Sequence, residues 1–311
     1  MTLVVGFAPD GRSRAPLHLG AMLARSTGED IVVGAVVPVP WPPGVGRVDA
    51  EYQAWLVQAA EEALTQARAR MPADVEATFT VAHARSVPAG LLELAEQHQA
   101  SAIVVGSSAA GGLGHVWLGS VSDRLLHSSH APVALTPRGF RCTPATRVTR
   151  ISAAFGGTHD TDDLVVAAAG VAARTGAGLR LVSFVVRPAA PVTAGVGLRA
   201  EEPVSAEWVE EIQATARTAL ARVEHLRAHP PGLETAVGHG ETWAEALDDV
   251  EWQDGEVLVV GSSAIGPVAR VFLGSRASKI VRNSPVPVVV VPRAAAEELA
   301  EEAVQAEPRS G

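Results

Sequence analysis

The chain carries one sequence pattern twice. Residues 104–109 read Val-Val-Gly-Ser-Ser-Ala, and residues 259–264 read the same. A Leu-Gly-Ser triplet follows each copy, at 118–120 and at 273–275, so both pieces recur at the same offset of 155 residues (259 − 104 and 273 − 118). A repeat of this length that stays in register predicts two copies of one folding unit, and a site in one copy should have a counterpart in the other.

The length of 311 residues suits two domains of ordinary size. We predict a first domain over 1–142, a second domain over 143–293 and an acidic, helix-prone C-terminal tail over 294–311. Hydrophobic residues make up 47% of the chain and aromatic residues only 4%, so the two cores must be built from Val, Leu, Ile and Ala.

Composition argues against several classes of protein. The net charge of −9 disfavours nucleic-acid binding, because neutralising phosphates requires an excess of Lys and Arg. The apolar runs are too short to span a bilayer, and the chain starts without a basic, signal-like segment. The one cysteine, Cys142, can form neither an internal disulfide nor a metal cluster. We therefore expect a cytoplasmic protein with no membrane and no nucleic-acid partner.

Strand-like apolar runs alternate with helical spacings in both halves. The predicted strands are 2–7, 31–37, 78–82, 103–105 and 132–135, then 151–155, 179–186, 257–260 and 288–291. Ser86, and Thr242 with Glu245, are predicted to cap helices, 206–226 is predicted to be a long helix, and 187–203 is expected to be a loop. This alternation predicts right-handed βαβ units with a parallel sheet in each half. Ligands bind such sheets at the carboxyl ends of the strands, so the loops after the first and fourth strands are the candidate site.

The two halves resemble the universal stress protein family in its tandem two-domain form. The resemblance rests on the element order and on the spacing of Gly106, Gly119 and Ser120, which Gly261, Gly274 and Ser275 repeat. It implies two Rossmann-like (adenine nucleotide alpha hydrolase-like) units, each a five-stranded parallel sheet flanked by helices. In that family the units usually pair through their last strands, and nucleotide-binding members cradle the phosphates and ribose of ATP with this pattern.

Carried over residue by residue, the resemblance implies a set of nucleotide-binding residues in each half. They are Asp10, Val36, Gly106, Ser107, Ala109, Gly119 and Ser120 in the first half, and Gly261, Ser262, Gly274 and Ser275 in the second. The second glycine of the family pattern is replaced by Ala109 and Ala264. Aligning Leu17 with Leu164 places Ala8 and Phe155 where nucleotide-binding relatives have an Asp, with Asp10 as a substitute nearby. Because Phe155 would fill the base end of the second cleft, we expect the first half to bind nucleotide more tightly.

Three functions stay open from the sequence. The first is a regulatory or sensory stress-response protein that binds ATP or another adenine nucleotide weakly, with no metal except Mg²⁺ carried by the nucleotide. The second is a scaffold that binds no small ligand and acts through a regulatory protein partner. The third is a slow ATPase, although the sequence shows no convincing catalytic constellation. We also expect the last strands, 132–135 and 288–291, to pair within the chain, because a bare apolar edge would aggregate, and a homodimer is an additional alternative.

Overall fold

The computed structural model of the chain describes residues 1–8, 14–39, 47–108, 112–157, 162–187, 198–262 and 274–306, without the side chains of 47–49 and 198–208. The strands in these residues are β1 (Thr2–Gly6), β2 (Asp30–Pro38), β3 (Ala77–Ala84), β4 (Ala100–Gly106), β5 (Val133–Thr136), β6 (Arg150–Ala154), β7 (Gly178–Val186), β8 (Leu233–Gly240), β9 (Glu256–Gly261) and β10 (Val288–Val291). The helices are α1 (Ala15–Thr27), α2 (Arg47–Arg70), α3 (Val87–Gln97), α4 (Ser120–Ser128), α5 (Asp162–Thr175), α6 (Leu198–Glu224), α7 (Trp243–Asp248), α8 (Ser275–Asn283) and α9 (Arg293–Gln305).

All ten strands belong to one sheet, in the order β3-β2-β1-β4-β5-β10-β9-β6-β7-β8. Within each half every neighbouring pair is parallel. The halves meet where β5 and β10 pair antiparallel, with Val288 opposite Leu135 and Val290 opposite Val133. The two predicted parallel α/β units are therefore present, and they are the two ends of a continuous sheet that has an internal pseudo-two-fold axis at its centre.

Helices cover both faces of the sheet. One face packs against α1, α2, α5, α6 and α9, and the other packs against α3, α4, α7 and α8. The fully buried large side chains are almost all Leu and Ile, with one Met. This is the aliphatic core that the low aromatic content predicts, and both faces of each central strand are buried as expected for a parallel sheet.

The predicted helix caps form with one difference. The Ser86 hydroxyl accepts a hydrogen bond from the Ala89 amide at 3.3 Å, and the Thr242 hydroxyl accepts one from the Glu245 amide at 3.2 Å. The Glu245 carboxylate accepts from the Glu241 amide at 2.8 Å instead of from the amide of the cap residue. The capping box is thus only half formed, but it still begins α7.

The prediction lacked strand β8 (Leu233–Gly240), placed the start of α6 too late, and did not anticipate how the helix-prone tail packs. The long helix α6 begins at Leu198, inside the expected loop 187–203, where the sequence Arg-Ala-Glu-Glu consists of strong helix formers. Within 294–306, the predicted tail forms helix α9, whose buried face consists of Ala296, Ala300 and Ala303. This face lies on α5, so closely that a Cβ atom added to Gly170 would lie 2.5 Å from the Ala303 Cβ. The segment is therefore packed against the second half rather than solvated on all sides.

The connection between the halves follows α1. The Cys142 thiol donates to the His18 carbonyl oxygen at 3.4 Å, and the Val148 amide donates to the Ser26 hydroxyl at 2.7 Å. Burial raises the pKa of the Cys142 thiol. Burial, followed by the charge of Arg141, lowers the pKa of His18. Both groups are therefore held in their neutral forms, and the connection is fixed by packing.

A buried ion-pair cluster lies at the amino ends of β6, β7 and β9. The Glu256 side chain has 0% exposure, and its carboxylate pairs with Arg180 at 2.5 Å and with Arg150 at 2.7 Å. The Ser152 hydroxyl also donates to this carboxylate at 2.5 Å. The Arg180 guanidinium lies over the Trp252 ring, 5.0 Å from its centroid. This cluster is at the opposite end of the strands from the predicted ligand site, so its role is structural.

Candidate functional site

A cavity of about 730 Å³ lies in the second half of the molecule, at the carboxyl ends of β6, β7, β9 and β10. Its position is where the strand order reverses, because β6 is followed in the chain by β7 on one side and lies next to β9 on the other. Ligands of open parallel sheets bind at this point, and the volume lies within the usual range for small-molecule sites. The fold thus places a cavity where the sequence predicts a site.

One end of the cavity is apolar. Its walls there are the side chains of Phe184 and Val185 from β7, Ile212 from α6 and Trp243 at the start of α7. The nearby Ser183 hydroxyl is 3% exposed and donates to the Phe155 carbonyl oxygen at 2.8 Å. Because that hydroxyl is already paired inside the protein, this end offers a ligand mainly ring faces and aliphatic surface.

The rest of the cavity lining is polar and carries both signs of charge, because Asp163 lines the cavity as well and the Arg293 guanidinium pairs with Glu297 at 2.9 Å. It also includes Ser262 and, at the start of α8, Gly274, Ser275 and Arg276. The first amides of a helix have no partner within the helix and favour anions. Arg276 is exposed and has no carboxylate partner among the residues with described positions. This part of the cavity can therefore hold a phosphate or a carboxylate.

The corresponding amides of the first half are used within the protein. The Gly119 amide donates to the Ser122 hydroxyl at 2.9 Å. The Ser107 hydroxyl donates to the Thr136 carbonyl oxygen at 2.6 Å and accepts from the Trp117 amide at 2.9 Å. The loop before α4 thus folds back onto the end of β4, and these two groups are not available to a ligand in this arrangement.

The two halves differ at the residues that lie beside the first amides of α4 and α8. The second half has Ala277 where the first has Ser122, and Arg276 where the first has Val121, at the repeat offset of 155 residues. Alanine has no hydroxyl, so it cannot accept a hydrogen bond from the Gly274 amide. The start of α8 therefore lacks the Ser122 contact of the first half and carries Arg276 in place of Val121.

The structure brings together only some of the residues that were predicted to bind nucleotide. Gly261, Ser262, Gly274 and Ser275 line the second cavity. In the first half, Ser107 and Gly119 make the internal hydrogen bonds given above, and Ser120 is exposed as the first residue of α4. Gly106 ends β4, and Val36 is 2% exposed within β2. Asp10 and Ala109 lie outside the described residues.

The alignment that gave Phe155 a special role is wrong by one residue. The Phe7 amide donates to the Gly34 carbonyl oxygen and the Phe155 amide donates to the Val182 carbonyl oxygen, at 2.9 and 2.8 Å. Phe155 thus corresponds to Phe7 instead of Ala8, and both are buried core residues. By the same register Val36 corresponds to Phe184. The connection between β1 and α1 has eight residues, and the connection between β6 and α5 has seven. Matching the two helices therefore shifts the ends of the two strands by one residue relative to each other.

Sequence reasoning missed Phe184, Trp243, Arg276 and Arg293 as cavity residues. For Arg276 a signal was available, because the repeat offset sets it against an apolar Val121. The other three could not be found by motif, because the family pattern covers only the loop after the fourth strand. They come from β7, from α7 and from the first residue of α9, which only the fold brings together.

No helix in the described residues has the length and apolar character needed to cross a membrane. Among the same residues, no group of three or more His, Cys, Asp or Glu side chains is arranged to hold a metal ion.

Comparison with known proteins gives consistent matches along the chain. The sequence model of the universal stress protein family matches residues 1–137 and 148–292. A universal stress protein of Mycobacterium tuberculosis is 40% identical over 296 residues, which cover 94% of this chain and 100% of the relative. A universal stress protein from Archaeoglobus fulgidus, at 19% identity, has a TM-score of 0.56 and covers 93% of this chain and 98% of its own. A functionally unknown protein from Pseudomonas aeruginosa, at 16% identity, has a TM-score of 0.54 with coverage of 98% and 97%.

Proposed function

Because the chain belongs to the universal stress protein family, we propose that it is a regulatory or sensory protein of the stress response that binds a phosphate-bearing ligand in its second half. An adenine nucleotide such as ATP is the first ligand to test. The protein acts in this proposal as a binding module, and its output passes to a protein partner.

The observation that supports the proposal is the cavity at the carboxyl ends of β6, β7, β9 and β10. A ligand there meets the first residues of α8, the hydroxyl of Ser275 and the guanidinium of Arg276, while the Ser262 hydroxyl already accepts from the Arg293 amide at 3.2 Å. Hydrogen bonds between an ionised donor or acceptor and its partner contribute about 1.5–3 kcal/mol each. A few such contacts suffice for an affinity on the order of micromolar, about −8 kcal/mol, when an apolar group adds to them.

The hydrogen bonds of the two halves favour the second as the binding half. The sequence-based preference for the first half depended on Phe155 filling the second cleft. Phe155 does line the cavity, but the first half has Phe7 at the equivalent position, so this residue does not distinguish the two halves. In the first half the Gly119 amide donates to the Ser122 hydroxyl, a contact that Ala277 cannot provide in the second half. A ligand of the first half would have to displace this contact before it could bind.

Isothermal titration of ATP into the full chain tests the proposal. We expect one site per chain, and we expect Arg276→Val to weaken binding about tenfold, the equivalent of about 1.4 kcal/mol. Arg282→Val is the matched control, because Arg282 is exposed on the same helix, does not line the cavity, and its replacement changes the net charge equally. Its affinity should stay within about twofold of wild type, since a distant surface charge contributes little.

Other results would contradict the proposal. If Arg276→Val and Arg282→Val weaken ATP binding equally, only the overall charge of the protein matters. If titrating ATP into the wild-type chain releases no binding heat, the scaffold function is favoured. Steady phosphate release from ATP that Ser275→Ala abolishes would favour a slow ATPase instead.

A further inference from the structure

The exposed side of α2 carries two aromatic rings that the core does not use. Tyr52 and Trp55 are 57% and 59% exposed, and their rings stack with centroids 5.9 Å apart and an interplanar angle of 20°. The side of this helix that packs on the core carries other residues, among them Leu56, Ala60 and Leu64. Single apolar side chains on a surface are ordinary, but an exposed pair of rings marks an interaction site. The chain has only one tyrosine, and it lies here.

Carboxylates flank the two rings on the same side of the helix. Glu51 precedes Trp55 by four residues and Glu62 follows it by seven, so the three side chains lie along one side of α2. Both glutamates are exposed, and Gln58 between them donates to the Glu62 carboxylate at 2.9 Å. Residues 50–67 contain three glutamates and no Lys, Arg or His. The surface formed by these side chains is called the α2 surface, and it consists of Glu51, Tyr52, Trp55, Gln58 and Glu62.

The equivalent helix of the second half, α6, lacks the pair of rings. The buried Leu64 of α2 corresponds to the buried Leu220 of α6, an offset of 156 residues (220 − 64), and the small buried residues around them match at the same offset. At that offset Glu211 takes the place of Trp55. The two helices therefore share their buried side and differ on their exposed side, so the fold does not require the rings.

An aromatic surface that is flanked by carboxylates binds cations. The open faces of the rings attract an ammonium or, better, a guanidinium, which is planar and weakly hydrated. A carboxylate beside the ring pairs with the same group. Glu51 and Glu62 are eleven residues apart (62 − 51), which is about 16 Å along a helix. A partner helix with arginines at positions i, i+4, i+7 and i+11 presents its cations on one side over the same length.

We propose that the α2 surface is a docking site for a basic, arginine-bearing helix of a partner protein. Its guanidinium groups lie on the rings of Tyr52 and Trp55 and pair with the two glutamates. The inference names the partner contact that the proposed function leaves open, and it rests on that function only for the existence of a partner. The α2 surface shares no residue with the second-half cavity, so docking and ligand binding can be tested separately.

The probe is a fluorescein-labelled helical peptide of alanine and glutamine, about 18 residues long, with arginines at positions i, i+4, i+7 and i+11. Fluorescence anisotropy measures its binding to the full chain, and we expect it to saturate. Trp55→Gln should weaken binding about fivefold or more, because one ring is lost and the stacked pair with it. Glu62→Gln should weaken binding about two- to threefold, as expected of an exposed ion pair. A peptide with glutamate in place of the four arginines should not bind.

Trp117→Gln and Glu298→Gln are the matched controls. Trp117 is 49% exposed in the loop before α4, and Glu298 is exposed on α9, so each replacement removes the same kind of side chain outside the α2 surface. Both variants should bind the peptide as wild type does. The melting temperature of Trp55→Gln should stay close to that of wild type, because the replaced ring is exposed.

Three results would overturn the inference. The first is an arginine peptide that does not bind wild type, and the second is equal binding by Trp55→Gln and Trp117→Gln. The third is self-association of the wild-type chain in sedimentation velocity that Trp55→Gln abolishes, because the α2 surface would then bind a second copy.

Titration of ATP separates the inference from the proposed function. Trp55→Gln should bind ATP with wild-type affinity. A wild-type chain that binds the peptide but not ATP would overturn the proposed ligand site alone. A chain that binds ATP but not the peptide would overturn the docking site alone.

Discussion

Replacing Glu256 with Gln removes the negative charge at the centre of the buried cluster and leaves its shape nearly unchanged. The carboxylate accepts hydrogen bonds from four donors, Arg150, Ser152, Arg180 and the Gln253 amide, at 2.5 to 3.0 Å. The side chains of Arg180 and Arg150 are 4% and 13% exposed, so water cannot replace the lost charge. Burial lowers the pKa of Arg180, but the guanidinium stays charged at neutral pH.

Breaking a buried ion pair by removing one partner costs about 3–5 kcal/mol, because the other charge is left buried without compensation. That is a large share of the roughly 5–15 kcal/mol that stabilises a domain. With a urea slope of about 3 kcal/mol/M, the midpoint of unfolding should fall by about 1 to 1.7 M.

Urea unfolding followed by circular dichroism measures the effect, and the cluster supplies its own controls. Glu234→Gln removes a carboxylate that also pairs with Arg150 but is 58% exposed, so it should cost less than about 1 kcal/mol. Combining Arg180→Met with Glu256→Gln removes the unpaired charge as well, so the double variant should be more stable than Glu256→Gln alone. If Glu256→Gln lowers the midpoint no more than Glu234→Gln does, or if the double variant is the less stable, the buried-charge reasoning is refuted.

Two other predictions concern the packing of α9 and one surface ion pair. Gly170→Ala should lower the free energy of unfolding by about 1–3 kcal/mol, because its Cβ would lie 2.5 Å from that of Ala303. If α9 packs as described, adding Ala303→Gly should restore the lost stability in a thermal unfolding experiment. The Arg25 guanidinium donates to the Asp74 carboxylate at 2.6 and 3.0 Å and lowers the pKa of that carboxyl. The pair therefore stabilises the fold fully above the unfolded pKa of about 3.9, and its contribution is lost as the pH falls through the lower folded pKa. The difference in melting temperature between wild type and Asp74→Asn should therefore be present at pH 6 and vanish at strongly acidic pH, and a difference independent of pH would contradict this role.

Much of the fold follows from local sequence patterns. Apolar runs without alternation predicted strands buried on both faces, and the repeat offset predicted two units of the same topology. Helix α4 begins at Ser120, inside the Leu-Gly-Ser triplet that the repeat carries. The helix caps at Ser86 and Thr242 could be predicted because they depend on residues three apart in the chain. The start of α6 could not, since Leu198 lies in a segment whose Gly and Pro content resembles a loop.

The candidate site depends on contacts between distant parts of the chain. The motif located the loops after β4 and β9, but both loops carry it, and the motif does not distinguish an occupied amide from an open one. Whether the Gly119 amide is available depends on the position of the Ser122 hydroxyl, and whether Ser107 is available depends on how 112–119 folds back. Phe184, Trp243 and Arg276 are far apart in sequence and meet only because parallel strands bring their carboxyl ends to one edge of the sheet, where the strand order reverses.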